Sequence, residues 1–287
     1  MFPLQQLRAQ AAERAFLLPR GQIIASPFDL TVVELLRCEV FGEQAPSRGV
    51  PTDAFVFASG EPPAPHLTKI GGIPFRSRHK PWPMTPNGRP MAFVGQLGFV
   101  DSHDLLPGLP GEVLLVFGDV ENLLSSDAYH CEWVSLNERG LASSADVPEV
   151  HHTWHPGLLA RKRGKVPEVR RFELFVCHGI VHRTYDLPGE DTLFGAYEQP
   201  WAISVLEATK IGGAPRSIQH APAVAGRFVA QIASVQPAPE VPFPWVNVAA
   251  AVTLRERHAI PTWKLGDMGS LYLYEDSGDV RLDAQSY

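Results

Sequence analysis

The sequence predicts an α+β fold that is β-rich and internally duplicated, with two similar halves, mostly antiparallel sheets and a few short helices. Three observations carry that expectation. The phrase Thr68-Lys69-Ile70-Gly71-Gly72-Ile73-Pro74 recurs as Thr209-Lys210-Ile211-Gly212-Gly213-Ala214-Pro215, 141 residues later and near half the length of the 287-residue chain. Each copy is followed, in the same order, by an apolar run with a glutamine inside it: Phe93-Val94-Gly95-Gln96-Leu97 and Phe228-Val229-Ala230-Gln231-Ile232. Finally, 27 prolines and 24 glycines punctuate the chain, which disfavours long helices and favours short strands joined by turns.

Taken in order, Leu4, Leu7, Ala11 and Ala15 stand at helical spacing and predict a short amphipathic helix over 2–16. Asp29 can accept backbone N–H bonds as an N-cap before a second helix over 30–40, with Gly42 close after its end. Residues 43–65 read as loop, interrupted by a strand at Ala54-Phe55-Val56-Phe57. The first copy then supplies the Gly-Gly turn, Pro81-Trp82-Pro83, a strand over 91–99 and another over 112–118. Phe93, Gly95 and Leu97 alternate there with Val94 and Gln96, as on a pleated strand. Residues 136–165 are polar and irregular and read as the join between halves, and 171–181 read as a further strand. The second copy starts at Ala208 and closes with Leu271-Tyr272-Leu273-Tyr274, which resembles Val113-Leu114-Leu115-Val116-Phe117. This places the first half at 1–140, with its core at 68–118, and the second at 141–287, with its core at 208–275, packed as one unit. The second half carries 37 residues between Gln231 and Gly269 against 14 between Gln96 and Gly111, so an insertion around 237–261 belongs to it alone.

A formal charge of −6 argues against a generic nucleic-acid footprint, and no stretch reaches the ~18 consecutive apolar residues of a membrane span. The three cysteines, Cys38, Cys131 and Cys177, lie far apart and form no C-x-x-C pair, and residues 1–20 lack a signal-peptide apolar run. A cytoplasmic location is the expectation, without membrane partners.

The residues that could carry chemistry are sparse. Gly71-Gly72 and Gly212-Gly213 suit either tight turns feeding strands or, with Lys69 and Lys210, anion-binding nests of backbone N–H groups. Gln96 and Gln231 must find partners inside their apolar strands, because an unpaired buried amide costs ~1–3 kcal/mol. Backbone groups of the turns are the expected partners, which makes the glutamines braces; ligand binding is the competing reading. His151, His152 and His155 form the densest histidine cluster, yet adjacent residues point apart in a strand and no acid or cysteine of ligand spacing joins them. No metal or cofactor is expected. Cys177-His178 reads as a buried thiol beside a histidine without an activating pocket. Arg161-Lys162-Arg163-Gly164-Lys165 with Arg170-Arg171 reads as a solvated loop, since it lacks the interleaved aromatics of a nucleic-acid site. Neither G-x-S-x-G nor H-E-x-x-H occurs, nor a phosphate-binding glycine motif, and Asp119 and Asp267 stand in different contexts that do not suggest a catalytic pair.

The order of motifs resembles the YwqG-like family, a bacterial domain of unknown function. The resemblance rests on Lys69-Ile-Gly-Gly-x-Pro, Trp82-Pro83, Phe93-Val-Gly-Gln96, Leu106-Pro107 and Gly111-x-Val-Leu-Leu-Val-Phe, then Lys210-Ile-Gly-Gly-Ala-Pro, Gln219, Val229-Ala-Gln231, Leu265-Gly-Asp267-Met-Gly and Asp279-Val-Arg-Leu-Asp283. The sequence departs from it at Ala214, where an aromatic residue is expected, and residues 140–206 and 237–262 carry none of its motifs. The resemblance implies two β-rich repeated halves and, by association with bacterial toxin systems, an immunity-type protein that binds a toxin. Two functional expectations follow. The first is a non-enzymatic binding protein that presents variable loops to a protein partner. The second is an enzyme or small-ligand binder with a site in the cleft between the halves. Candidate binding residues are Lys69, Gly71, Gly72, Trp82, Gln96, Lys210, Gly212, Gly213, Gln231 and Asp267; no catalytic residue is assigned.

Overall fold

The computed structural model describes residues 34, 37–38, 41–42, 44–156, 165–187, 205–206, 208–219, 224–235 and 263–287. One turn of helix, α1 (Ala45–Arg48), precedes twelve strands: β1 (Val50–Ser59), β2 (Lys69–Ile70), β3 (Ala92–Gly98), β4 (Val113–Gly118), β5 (Tyr129–Val134), β6 (His151–Trp154), β7 (Glu168–Arg171), β8 (Cys177–Asp186), β9 (Lys210–Gly212), β10 (Arg227–Ala233), β11 (Ser270–Asp276) and β12 (Asp279–Gln285). Apart from α1 and the helical residues Glu34, Arg37, Cys38 and Phe41, the helical content among the described residues is three short 3-10 turns. The expectation of an α+β fold is therefore corrected to a mostly antiparallel β protein. Proline and glycine punctuate residues 49–156 and disfavour long helices there. The helix expected over 2–16 lies outside the described residues, as does most of the one over 30–40, whose described residues Glu34, Arg37 and Cys38 are helical.

Ten strands form one sheet in the order β12-β11-β10-β9-β1-β8-β2-β3-β4-β5, every pairing antiparallel. The sheet curls until its edges approach, and the Ala284 N–H of β12 donates to Ser126 Oγ just before β5 at 3.2 Å. β6 and β7 make a separate hairpin.

The order shows how the two copies are joined. The long strands β1 and β8 pair at the centre over ten residues, yet β2 of the first copy pairs with β8, and β9 of the second pairs with β1. Each arm thus extends from the central strand that precedes the other arm. Lys69 pairs with His178 and Lys210 with Ala54, so an approximate twofold axis passes between the paired residues Val56 and Ile180.

The arms keep one register. A β-bulge falls between Phe93 and Gly95 in β3 and between Phe228 and Ala230 in β10. A bulge inserts one residue and breaks the period of two. Simple alternation along 93–97 is accordingly corrected: Val94 and Leu97 join the main core, while Phe93 joins a second cluster with Phe75, Leu115 and Phe117. β4 is buried along its whole length because it separates those clusters, which accounts for its unbroken Val-Leu-Leu-Val-Phe run. The strand expected over 171–181 is two strands: β7 ends at Arg171 and β8 begins at Cys177. The join expected to be irregular over 136–165 contains β6, whose partner β7 lies beyond it.

Candidate functional site

The repeated motif builds the same brace in each arm. Gln96 Nε2 donates to Pro65 O at 2.7 Å and Leu67 O at 2.8 Å; Gln231 Nε2 donates to Leu206 O at 3.0 Å and Ala208 O at 3.1 Å. Thr68 and Thr209 accept from the Gly98 and Ala233 N–H groups at 2.9 and 3.0 Å. Lys69 Nζ donates to Glu61 Oε2 at 2.7 Å, and Glu61 Oε1 accepts from the Ile73 N–H. In the second arm Lys210 Nζ donates to Asp186 Oδ2 at 2.8 Å, and the same oxygen accepts from the Ala214 N–H. Each lysine is held by a carboxylate that also fixes the backbone four residues further on. Burial pulls the Lys69 ammonium below its ordinary value, with Glu61 opposing the shift.

All four turn glycines adopt positive φ, between 67° and 77°. A Cβ on Gly72 would lie 2.1 Å from Glu61 Oε1, and one on Gly213 would lie 2.1 Å from Asp186 Oδ2. Glycine is required so that the carboxylate can close over the turn.

Two strands, β8 and β1, separate β2 from β9, so the lysine-bearing strands lie about 14 Å apart, three spacings of about 4.8 Å. One small ligand cannot bridge them. Trp82 stands elsewhere, with its indole N–H donating to Met91 O at 2.8 Å and its ring edge-on to Phe117. Asp267 is exposed at the far end of the second arm, 3.5 Å from Lys264. The structure thus brings Lys69, Gly71, Gly72 and Gln96 together in one arm and Lys210, Gly212, Gly213 and Gln231 in the other, and it joins neither Trp82 nor Asp267 to either set.

The carboxylates that complete the braces, Glu61 and Asp186, escape sequence reasoning. They precede their lysines by 8 and 24 residues. With unequal spacing and different side chains, nothing in the repeat marks them.

A concavity of about 330 Å³ lies beside the first Gly-Gly turn. Gly71, Gly72 and Ile73 form one wall; Val147, Val150, Phe172 and Leu174, around the β6–β7 hairpin, form the other, with Phe93 also lining it. Its lining is mainly apolar. The rim is charged: Glu149 pairs with Arg171 at 3.2 Å, and Arg171 with Glu173 at 2.9 Å. Glu121 Oε1 accepts from the Thr153 N–H and ties the hairpin to the first arm. Gly212 meets Leu105 at the corresponding place in the second arm.

A second concavity, about 280 Å³, is lined by Arg76, Arg78, His79, Lys80 and Trp82. Arg76 is committed to Glu132 and to the Lys80 and Pro81 carbonyls. Burial raises the Glu132 carboxyl, but hydrogen bonds from His130, Arg76 and Lys80 and the charge of Arg76 outweigh it. The net position is well below the usual carboxylate range.

Burial pushes the Cys177 thiol far above its ordinary value and the Cys131 thiol up to about 12, so neither is a ready thiolate. His178 Nδ1 lies 3.1 Å from Gly60 O. His151 pairs with Arg171 in the hairpin, while His152 packs edge-on to Phe172. Among the described residues no group of three His, Cys, Asp or Glu side chains is placed to hold a metal ion, and no helix is long and apolar enough to cross a membrane.

Residues 68–128, the span from the first Gly-Gly motif to the turn before β5, match the family described as "Domain of unknown function (DUF1963)". No curated protein matches the chain.

Proposed function

We propose that the chain is a non-catalytic binding protein that engages a protein partner at the groove between the first Gly-Gly turn and the β6–β7 hairpin. One observation carries this reading: the repeated polar side chains are spent on internal braces, whereas the groove is an open apolar concavity in which the wall facing the Gly-Gly turn comes from the β6–β7 region, which the two copies do not share. Apolar concavities with a charged rim accept an anchoring side chain and set its orientation. The ordered motifs support placing the chain near the YwqG-like proteins. On that resemblance the partner is a protein toxin, and the chain an immunity-type protein of the bacterial cytoplasm. Its halves, 1–140 and 141–287, act as one unit.

The test is site-specific photocrosslinking. A benzophenone amino acid at Val147, in the groove, is compared with one at Arg281, on the opposite arm, in cells that encode the full-length protein. The expected result is one discrete protein adduct from position 147 and none from 281. Equal labelling from both positions, or none from either, would overturn the assignment.

A groove of about 330 Å³ also reaches the lower size range of small-molecule pockets. That observation favours the second reading, a small-ligand binder. A metabolite that raises the melting temperature of the wild type but not of Phe172→Ala would support it.

A further inference from the structure

The β6–β7 hairpin stands outside the ten-stranded sheet, and its two edges differ. The Phe172 N–H donates to Val150 O at 2.7 Å, which fixes the phase of the ladder: even-numbered residues of the two strands bond to each other, and odd-numbered ones direct their backbone groups outward. On the β6 edge the Thr153 N–H is taken up by Glu121 Oε1 of the first arm at 2.8 Å. On the β7 edge the backbone groups of Val169 and Arg171 have no hydrogen-bond partner among the described residues, and Glu168–Arg171 are all exposed.

An open edge beside a single paired strand is a template for a third strand, and a two-stranded ribbon gains stability from one. Val169 and Val166, 73% and 66% exposed, are the most exposed large apolar side chains among the described residues. Glu168 and Arg170 are each about half exposed and pair with each other at 2.9 Å, so both signs of charge stand at the same edge.

We propose that this edge is a dimer interface, in which β7 pairs antiparallel with β7 of a second copy of the chain, Val169 opposite Val169 on a twofold axis. The charges select both the occupant and the register. Centring the axis on Glu168, Arg170 or Arg171 sets like charges directly opposite each other, which destabilises a strand pair. Centring it on Val169 joins two apolar side chains there and sets Glu168 of each copy opposite Arg170 of the other. The outward groups are in phase for this register: Val169 exchanges both backbone bonds with its counterpart, and the Arg171 N–H donates to Pro167 O of the second copy. Pro167, with no N–H to offer, then ends the ladder. Continued past the strand ends, the same register meets Lys165 with Glu173 and Val166 with Phe172. The edge is thus complementary to itself, which favours a second copy over an unrelated strand. This inference goes beyond the groove reading and does not rest on it.

The test is sedimentation velocity on the purified full-length chain over a range of concentrations. The expected result is a mass that rises from 31.5 kDa towards twice that value, half-complete at about 1–100 µM, as for a small interface. Glu168→Arg sets guanidinium against guanidinium across the axis, and Arg170→Glu sets carboxylate against carboxylate, so each variant alone should dimerise about tenfold more weakly or worse. Mixed in equal amounts, the two variants oppose unlike charges again and should recover the dimer. Val169→Pro removes an outward N–H that β6 does not use, and should weaken the dimer by a similar factor. Thermal melts show that each variant is folded at the temperature of the run. A wild type that stays at 31.5 kDa, a Glu168→Arg chain that dimerises as the wild type does, or a mixture of folded variants that stays monomeric would overturn the proposal.

Discussion

Replacing each repeated lysine by methionine should produce unequal losses of stability, although the two stand in the same motif. Lys210 and Asp186 are both fully buried, whereas Lys69 is buried against a Glu61 that is 43% exposed. Lys210→Met leaves the Asp186 carboxylate without its cation and away from water, still accepting only the Ala214 N–H through Oδ2. Breaking a buried pair in this way costs about 3–5 kcal/mol. After Lys69→Met, Glu61 keeps its water contact and its bond from the Ile73 N–H, so about 1 kcal/mol is expected once solvent screening is allowed for. For a chain of this size the difference corresponds to a melting point roughly 4–16 °C lower for Lys210→Met than for Lys69→Met. Urea denaturation of both variants measures it, together with Lys210→Met/Asp186→Leu, which removes both charges and should recover most of the loss. Equal midpoints for the two single variants, or a double variant no better than Lys210→Met, would refute the brace account of the second arm.

Further outcomes follow from other contacts. Arg183→Ala should cost about 3 kcal/mol in urea denaturation, because Arg183 clamps the fully buried Asp53 to Asp104 and only Ser102 would then serve Asp53. Arg183→Lys should rescue little of it, since an ammonium cannot reproduce the fork between two carboxylates. Gly213→Ala should destabilise more than Gly72→Ala, by about 1 kcal/mol or more, because the carboxylate it displaces is buried rather than half-exposed. The Glu132 carboxyl titrates below its ordinary 4.5, so its contribution is present above that pH and lost as pH falls towards the folded-state value. Glu132→Gln should therefore flatten the acid limb of a stability-versus-pH curve below about pH 4.5, a change readable by thermal melts across pH.

The duplication was legible because it is written in neighbouring residues: Lys-Ile-Gly-Gly with its glutamine strand specifies a turn, a short strand and the brace that joins them. The partners were not, because they come from elsewhere in the chain. Glu61 lies just past the end of β1 and Asp186 at the end of β8, strands whose pairing joins residues more than 100 positions apart, and the two stand at unequal spacings from their lysines. The same distance hid the exchange of central strands, since a reading that cuts the chain in two assigns β1 to the arm that follows it. The bulges at Phe93 and Phe228 defeated strict alternation, although the equal positions of Gly95 and Ala230 in the two copies were a signal. The groove was least visible, because the wall facing the Gly-Gly turn is built from Val147, Phe172 and neighbours that repeat nowhere.

On the proposed function, the repeated residues hold the fold while the groove holds the partner. The most direct measurement compares Phe172→Ala and Lys210→Met, each carrying the crosslinker at Val147, for adduct yield and melting temperature below the unfolding range. The prediction is that Phe172→Ala loses the adduct at nearly unchanged melting temperature, and that Lys210→Met retains it while melting many degrees earlier. Loss of the adduct in folded Lys210→Met, with Phe172→Ala unaffected, would contradict the account.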